Sequence, residues 1–115
     1  MLARLLTLLA VAAVAVSAVA LPAASAATKP LVLAYTVTNG KVVKGNKQPT
    51  VKKGRLVRIV VVANRGEELH LHGYDLERTI RPRKQTVIQF RAKVSGRFEL
   101  ELHEPDVLIA RLSVK

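Results

Sequence analysis

Glu67 to Asp75 reads E-E-L-H-L-H-G-Y-D and carries two of the chain's three histidines, His70 and His72, two residues apart. On a β-strand that spacing sets both side chains on one face with Cα atoms roughly 7 Å apart, and both imidazoles can turn onto one ion at ligand distances of about 2.0 Å. The third histidine, His103, ends a second strand-like run, F-E-L-E-L-H from Phe98. A sandwich that folds this run back onto the first makes a three-imidazole metal site of His70, His72 and His103. There is no cysteine, and the only methionine is Met1, so a metal here is held by nitrogen and oxygen without sulfur. Imidazole suits Cu(II), Zn and Ni, and a carboxylate such as Glu104, Asp75 or Glu68 would complete an N/O set. Relative affinity puts copper ahead of zinc or iron.

Two readings of these histidines stand side by side. In one they bind a metal. In the other they are half-buried strand residues, hydrogen-bonded to nearby carbonyls or to Glu67 and Glu68, with Gly73 marking a bulge that re-aims the strand. The metal reading leads only if His103 reaches the pair.

Other chemistry is less well supported. No Ser-His-Asp or Cys-His arrangement stands out, and Glu99 and Glu101 read as a solvated strand face whose repulsion cross-strand Arg or Lys relieves. The chain therefore reads as a protein that is not an enzyme. Arg78, Arg81, Arg83 and Lys84 form a basic connection around Pro82. Four cations in a short loop could dock a phosphate or carboxylate, or keep a sheet edge from pairing with another chain.

The elements that must position these residues begin after an export-type leader. Met1 to Ala26 has Arg4 near its start, an almost unbroken Leu/Ala/Val run from Leu5 to Leu21, and Ala24-Ser25-Ala26 as a small-residue cleavage site. This predicts a mature start at Ala27. An uncleaved membrane anchor is the alternative, since about 20 apolar residues span a bilayer. Residues 27–115, 89 in number, suit one small domain. That part holds 18 basic and all 8 acidic residues, a formal net charge of +10. Such a charge attracts an anionic envelope surface or an acidic envelope protein. Export, together with only two Tyr and two Phe, argues against nucleic acid.

Within residues 27–115 short apolar runs alternate with turn signals, the pattern of an antiparallel sandwich or barrel. Strands are predicted over Leu31 to Val37, Lys41 to Val43, Thr50-Val51, Arg55 to Ala63, Glu68 to Leu76, Gln85 to Ala92, Arg97 to His103 and Val107 to Val114, with a hairpin turn at Asn39-Gly40. The run from Arg55 is apolar on both parities, which predicts an interior strand. In the run from Arg97, Phe98, Leu100 and Leu102 point one way and Glu99, Glu101 and His103 the other. The pattern is all-β, a Greek-key β-sandwich of about seven or eight strands.

Thr50 to Asn64 (T-V-K-K-G-R-L-V-R-I-V-V-V-A-N), followed six residues later by His70, resembles the cupredoxin pattern of a Lys-Gly turn, a core strand closed by Asn, and a ligand histidine. Ser95 to His103 resembles the strand leading into the copper-binding loop, and Val107 to Val114 the closing strand. The H-L-H-G-Y-D form is similar to exported bacterial cupredoxin-like domains, including the EfeO-type domain of periplasmic iron-uptake proteins. The resemblance implies a cupredoxin-like fold whose site forms where strand ends meet at one pole, with His70 at a ligand position. This chain departs from the blue-copper members: Leu102 falls about where their cysteine stands, and Val107 to Ala110 (V-L-I-A) contains no methionine. Without thiolate the blue-copper function does not carry over. The resulting expectation is a secreted or periplasmic, cupredoxin-like metal-binding protein, with a metal-free interaction module as the alternative.

Overall fold

Alternation of apolar and polar residues produces nine strands in the computed structural model, which describes residues 10–20, 29–103 and 106–115. They are β1 (Leu31–Thr38), β2 (Lys41–Lys44), β3 (Thr50–Val51), β4 (Leu56–Ala63), β5 (Glu67–Leu71), β6 (Leu76–Ile80), β7 (Thr86–Arg91), β8 (Gly96–His103) and β9 (Val107–Val114). Residues 10–20 enter no helix or strand, and among the described residues no helix is long and apolar enough to cross a membrane. Most of the leader expected over residues 1–26, the mature start at Ala27, and Glu104 lie outside the described residues.

The strands form two sheets, one in the order β2-β1-β4-β7 and the other β3-β9-β8-β5-β6. β4 is interior, as its two-sided apolar pattern requires: Val57, Ile59, Val61 and Ala63 are buried in the core, and Val60 and Val62 are half-buried on the other side. The core continues through Leu69 and Leu71 of β5, Leu100 and Leu102 of β8, and Ile88 of β7. Leu or Ile at such fully buried sites typically costs about 2–5 kcal/mol to truncate to Ala.

Two features differ from the sequence expectation. The sheets are mixed rather than wholly antiparallel, because β1 pairs parallel to β4 and β3 parallel to β9. After the β1–β2 hairpin the chain crosses to the other sheet for β3 before returning as β4, and such a crossover lets a strand re-enter in the same direction. The predicted strand from Glu68 to Leu76 is split. β5 stops at Leu71, residues 72–75 turn, and β6 returns antiparallel in the register His70↔Glu77 and Leu71↔Leu76. Gly73 (φ 85°) and Asp75 (φ 51°) are both left-handed, so Gly73 belongs to a reversal and not to a bulge. A Cβ at Gly73 would overlap the Phe98 ring. β6 also takes in Arg78, which shortens the basic connection.

Candidate metal centre

Strand parity places the histidines. Leu69 and Leu71, and across from them Leu100 and Leu102, have no exposed surface, so the residues between them face outward. The β5–β8 register sets Glu68 opposite His103 and His70 opposite Glu101. A register shift in the β8–β9 pair falls between Leu100 and Glu101, and it places the extra residue, Ile109, on β9. His103 thus keeps the outward parity of Glu99 and Glu101. His72 follows β5 by one residue, and its N–H donates to the Glu99 carbonyl at 2.9 Å, which extends the ladder far enough to hold its side chain on the same outer face.

The three imidazoles converge on that face. Ring centroids are 4.0 Å apart for His70–His72, 5.3 Å for His70–His103 and 5.9 Å for His72–His103. One nitrogen from each ring can be chosen so that all three lie within 4.8 Å of one another. His103 Nε2 stands 3.3 Å from His70 Nδ1, close to the edge of about 3.3 Å that two donors span around a tetrahedral ion with 2.0 Å bonds. That separation fits an N–H···N hydrogen bond between the two rings, whose place a metal ion would take. The third donor needs only a side-chain adjustment. His70 is the most enclosed of the three, with 14% of its side chain exposed, against 35% for His103 and 45% for His72.

Carboxylates hold the outer nitrogens. His72 Nε2 meets Glu101 Oε2 at 2.9 Å and His103 Nδ1 meets Asp106 Oδ1 at 3.2 Å, while Glu77 Oε1 lies 3.7 Å from His70 Nε2, beyond hydrogen-bond reach. With the carboxylates accepting hydrogen bonds from N–H groups at these atoms, the lone pairs of His72 Nδ1 and His103 Nε2 are left for an ion. Carboxylate–imidazole–metal chains of this kind fix the tautomer and raise ligand basicity.

These are not the carboxylates singled out from the sequence. Asp75 sits exposed in the β5–β6 turn. Glu68 is on the outer face opposite His103, but its carboxylate accepts from Thr79 Oγ1 at 3.3 Å. Glu99 pairs with Arg111 Nε at 3.1 Å, the cross-strand relief expected of it. That hydrogen bond lowers its pKa below the ordinary carboxylate value. Glu101 has a different role, since it bonds His72. One signal for the acidic surround was present in the sequence: all eight acidic residues fall in 67–77 and 99–106, the two segments that contain the histidines.

The cluster does not occupy the pole implied by the cupredoxin resemblance. It spans the outer face of the β5–β8 pair, from the Glu68 side at His103 to the Glu99 side at His72. Leu102, at the position where a cysteine would be expected, faces the core and is fully buried.

No family model matches the chain, and no curated protein matches it. Solved structures do. A chain of a heme-copper terminal oxidase dimer, determined by cryo-EM, superposes with a TM-score of 0.62 at 15% identity. The match covers 73% of this chain and 63% of that one, so this chain spans less than two thirds of the oxidase chain's length. A copper binding protein solved in the apo form by NMR gives 0.57 at 11% identity, over 76% of this chain and 98% of its own. Dithionite-reduced auracyanin from the photosynthetic bacterium Roseiflexus castenholzii gives 0.55 at 11% identity, over 73% and 94%. The fold is a cupredoxin-like β-sandwich.

Proposed function

We propose that this chain is an exported protein of the cell envelope that binds copper through His70, His72 and His103. In this reading residues 1–26 are a cleaved leader and residues 27–115 the cupredoxin-like domain, akin to the EfeO-type domains that the H-L-H-G-Y-D segment resembles. The observation that carries the proposal is the convergence of three imidazole nitrogens within 4.8 Å on one outer sheet face. The copper proteins among the structural neighbours favour copper over zinc or iron. An all-nitrogen and oxygen donor set favours Cu(II), and without thiolate the site is not a blue-copper electron carrier. The chain binds rather than turns over a substrate. A partner in the envelope would receive or supply the ion at the exposed side of His72.

Titration with Cu(II), Zn and Fe(II) tests this. One Cu(II) per chain at micromolar or tighter affinity is expected. His70→Ala and His72→Ala should each weaken it about a hundredfold, more than the loss of an orienting carboxylate. Unfolding should move by only about 0.5 kcal/mol for the exposed His72 and by about 1 kcal/mol for the more enclosed His70. Equal binding by parent and variants would leave the metal-free interaction module as the better reading. Mass spectrometry of exported material should find an N-terminus at Ala27; an intact leader would make the first segment an anchor.

A further inference from the structure

The residues from Arg78 to Lys84 stay outside the metal reading, and the fold gathers them. β6 and β7 are the edge strands of opposite sheets, and the chain between them closes one side of the sandwich. A cleft of about 420 Å³ opens there, lined by Arg78, Arg81 and Lys84 together with Thr79, Gln85 and Thr86. None of these six side chains is acidic, and of the neutral ones Thr79 already donates its hydroxyl to the Glu68 carboxylate. Among the described residues, the close contacts between basic side chains and carboxylates involve either a histidine or Arg111, and none involves these three cations.

Local backbone chemistry forces the cations together. Lys84 N–H donates to the Arg81 carbonyl at 3.1 Å. Pro82 holds a negative φ at the second position, and Arg83 has φ 61° at the third. This is the pattern of a type II turn, which brings its first and fourth Cα atoms within about 7 Å. Arg83 N–H donates to the Ala63 carbonyl at 2.7 Å and clamps the turn to the end of β4. Arg83 thus occupies a backbone conformation that glycine adopts freely. Arg78 spends one guanidinium N–H on the Glu77 carbonyl and keeps the others available. Thr86, the buried polar side chain of the described core, lines the same cleft at 8% exposure.

Three like charges around one concavity set up a positive field that favours an anion. We propose that this cleft is an anion site that takes a phosphate group. A phosphate presents acceptor oxygens on several sides and carries more charge than one carboxylate, so it can engage two guanidinium groups, an ammonium and neutral donors together. The group could arrive as free inorganic phosphate or on an anionic lipid headgroup.

The test is independent of any metal. The protein is titrated with inorganic phosphate while backbone amide resonances are followed by NMR, and in parallel it is sedimented with phosphatidylglycerol or phosphatidylcholine vesicles. Saturable shifts centred on Arg81 to Thr86 would identify free phosphate as the ligand. Sedimentation with phosphatidylglycerol alone, without a phosphate response, would identify the headgroup. In either case Arg81→Ala and Lys84→Ala should each weaken binding about tenfold through the loss of a charge-assisted contact. Arg83→Ala should leave it within about twofold, since it removes the same charge from outside the cleft and keeps a non-glycine residue at the strained position. Absence of binding to both probes, or an equal loss with Arg83→Ala, would overturn the site.

Discussion

The outward faces of the two sheets have the same geometry and opposite chemistry. On the four-stranded sheet the side chains turned away from the core include Val32, Thr36, Arg58, Val60 and Gln89, and no acidic residue or histidine occurs in any of its strands. On the five-stranded sheet the outward set includes Glu68, His70, Glu77, Glu99, Glu101 and His103. Packing constrains only the inward parity, which is largely apolar in both, with Thr86 of β7 the buried polar exception. The free parity is where this sandwich carries chemistry, and only one sheet uses it for carboxylates and imidazoles.

The largest contrast is expected at glycines beside each sheet. Gly73→Ala would combine positive-φ strain with overlap on Phe98, so it should cost about 2–4 kcal/mol and displace His72. Gly54, before β4 on the other sheet, has φ +88° with nothing near the added methyl, and Gly54→Ala should cost about 1–2 kcal/mol and leave metal affinity alone. Chemical denaturation of both variants, with Cu(II) titration, measures the difference; equal costs would show that the Phe98 contact relaxes freely.

A smaller effect separates the faces by affinity. Glu101→Gln removes the carboxylate on His72 Nε2 and should weaken Cu(II) binding about tenfold without changing stability much. Arg58→Gln, on the opposite outer face, should change nothing in the same titration. Equal affinities for parent and Glu101→Gln would mean that the carboxylate does not orient the ligand.

The smallest expected effects are in pH dependence, and they run in opposite directions. Tyr35, on the inner side of β1, is pushed up to about 12 by burial, with its hydroxyl donating to the Asn46 carbonyl at 2.7 Å. A raised pKa means that the unfolded chain releases this proton first, so the contribution is complete below about pH 10 and is lost as the pH rises toward about 12. Tyr35→Phe should flatten that alkaline limb. Glu99 on the other sheet is lowered by its hydrogen bond from Arg111, so its contribution is present above the ordinary carboxylate range and is lost as the pH falls through the lowered value. Arg111→Gln should flatten the acid limb of thermal unfolding, by an amount kept small by solvent exposure.

Much of the scaffold was legible in the residues. The apolar alternation of Phe98, Leu100 and Leu102 assigned β8 its faces, and the two-sided apolar run after Arg55 marked β4 as interior, because both follow from the two-residue period of a strand. The failures were at reversals. His72-Gly73-Tyr74-Asp75 continued the apparent alternation of β5, and only the close packing of Phe98 against Gly73, with two left-handed residues, turns the chain there. Glu101 looked like a solvated charge because its partner, His72, is 29 residues distant in sequence.

By itself the sequence determined an all-β sandwich pattern with an excess of basic residues, a two-residue spacing that can set His70 and His72 on one face, and a chain without cysteine. These follow from side-chain period, composition and the absence of cysteine, which are local or global properties of the chain. The tertiary structure alone decided that β8 lies beside β5 in the register that sets Glu68 opposite His103, which brings the third imidazole and two hydrogen-bond-accepting carboxylates to the pair. It also decided that the cluster spans an outer face and not a pole. Register between strands some 30 residues apart is set by how the core leucines of both strands interlock, and a shift of one residue would turn His103 into the core.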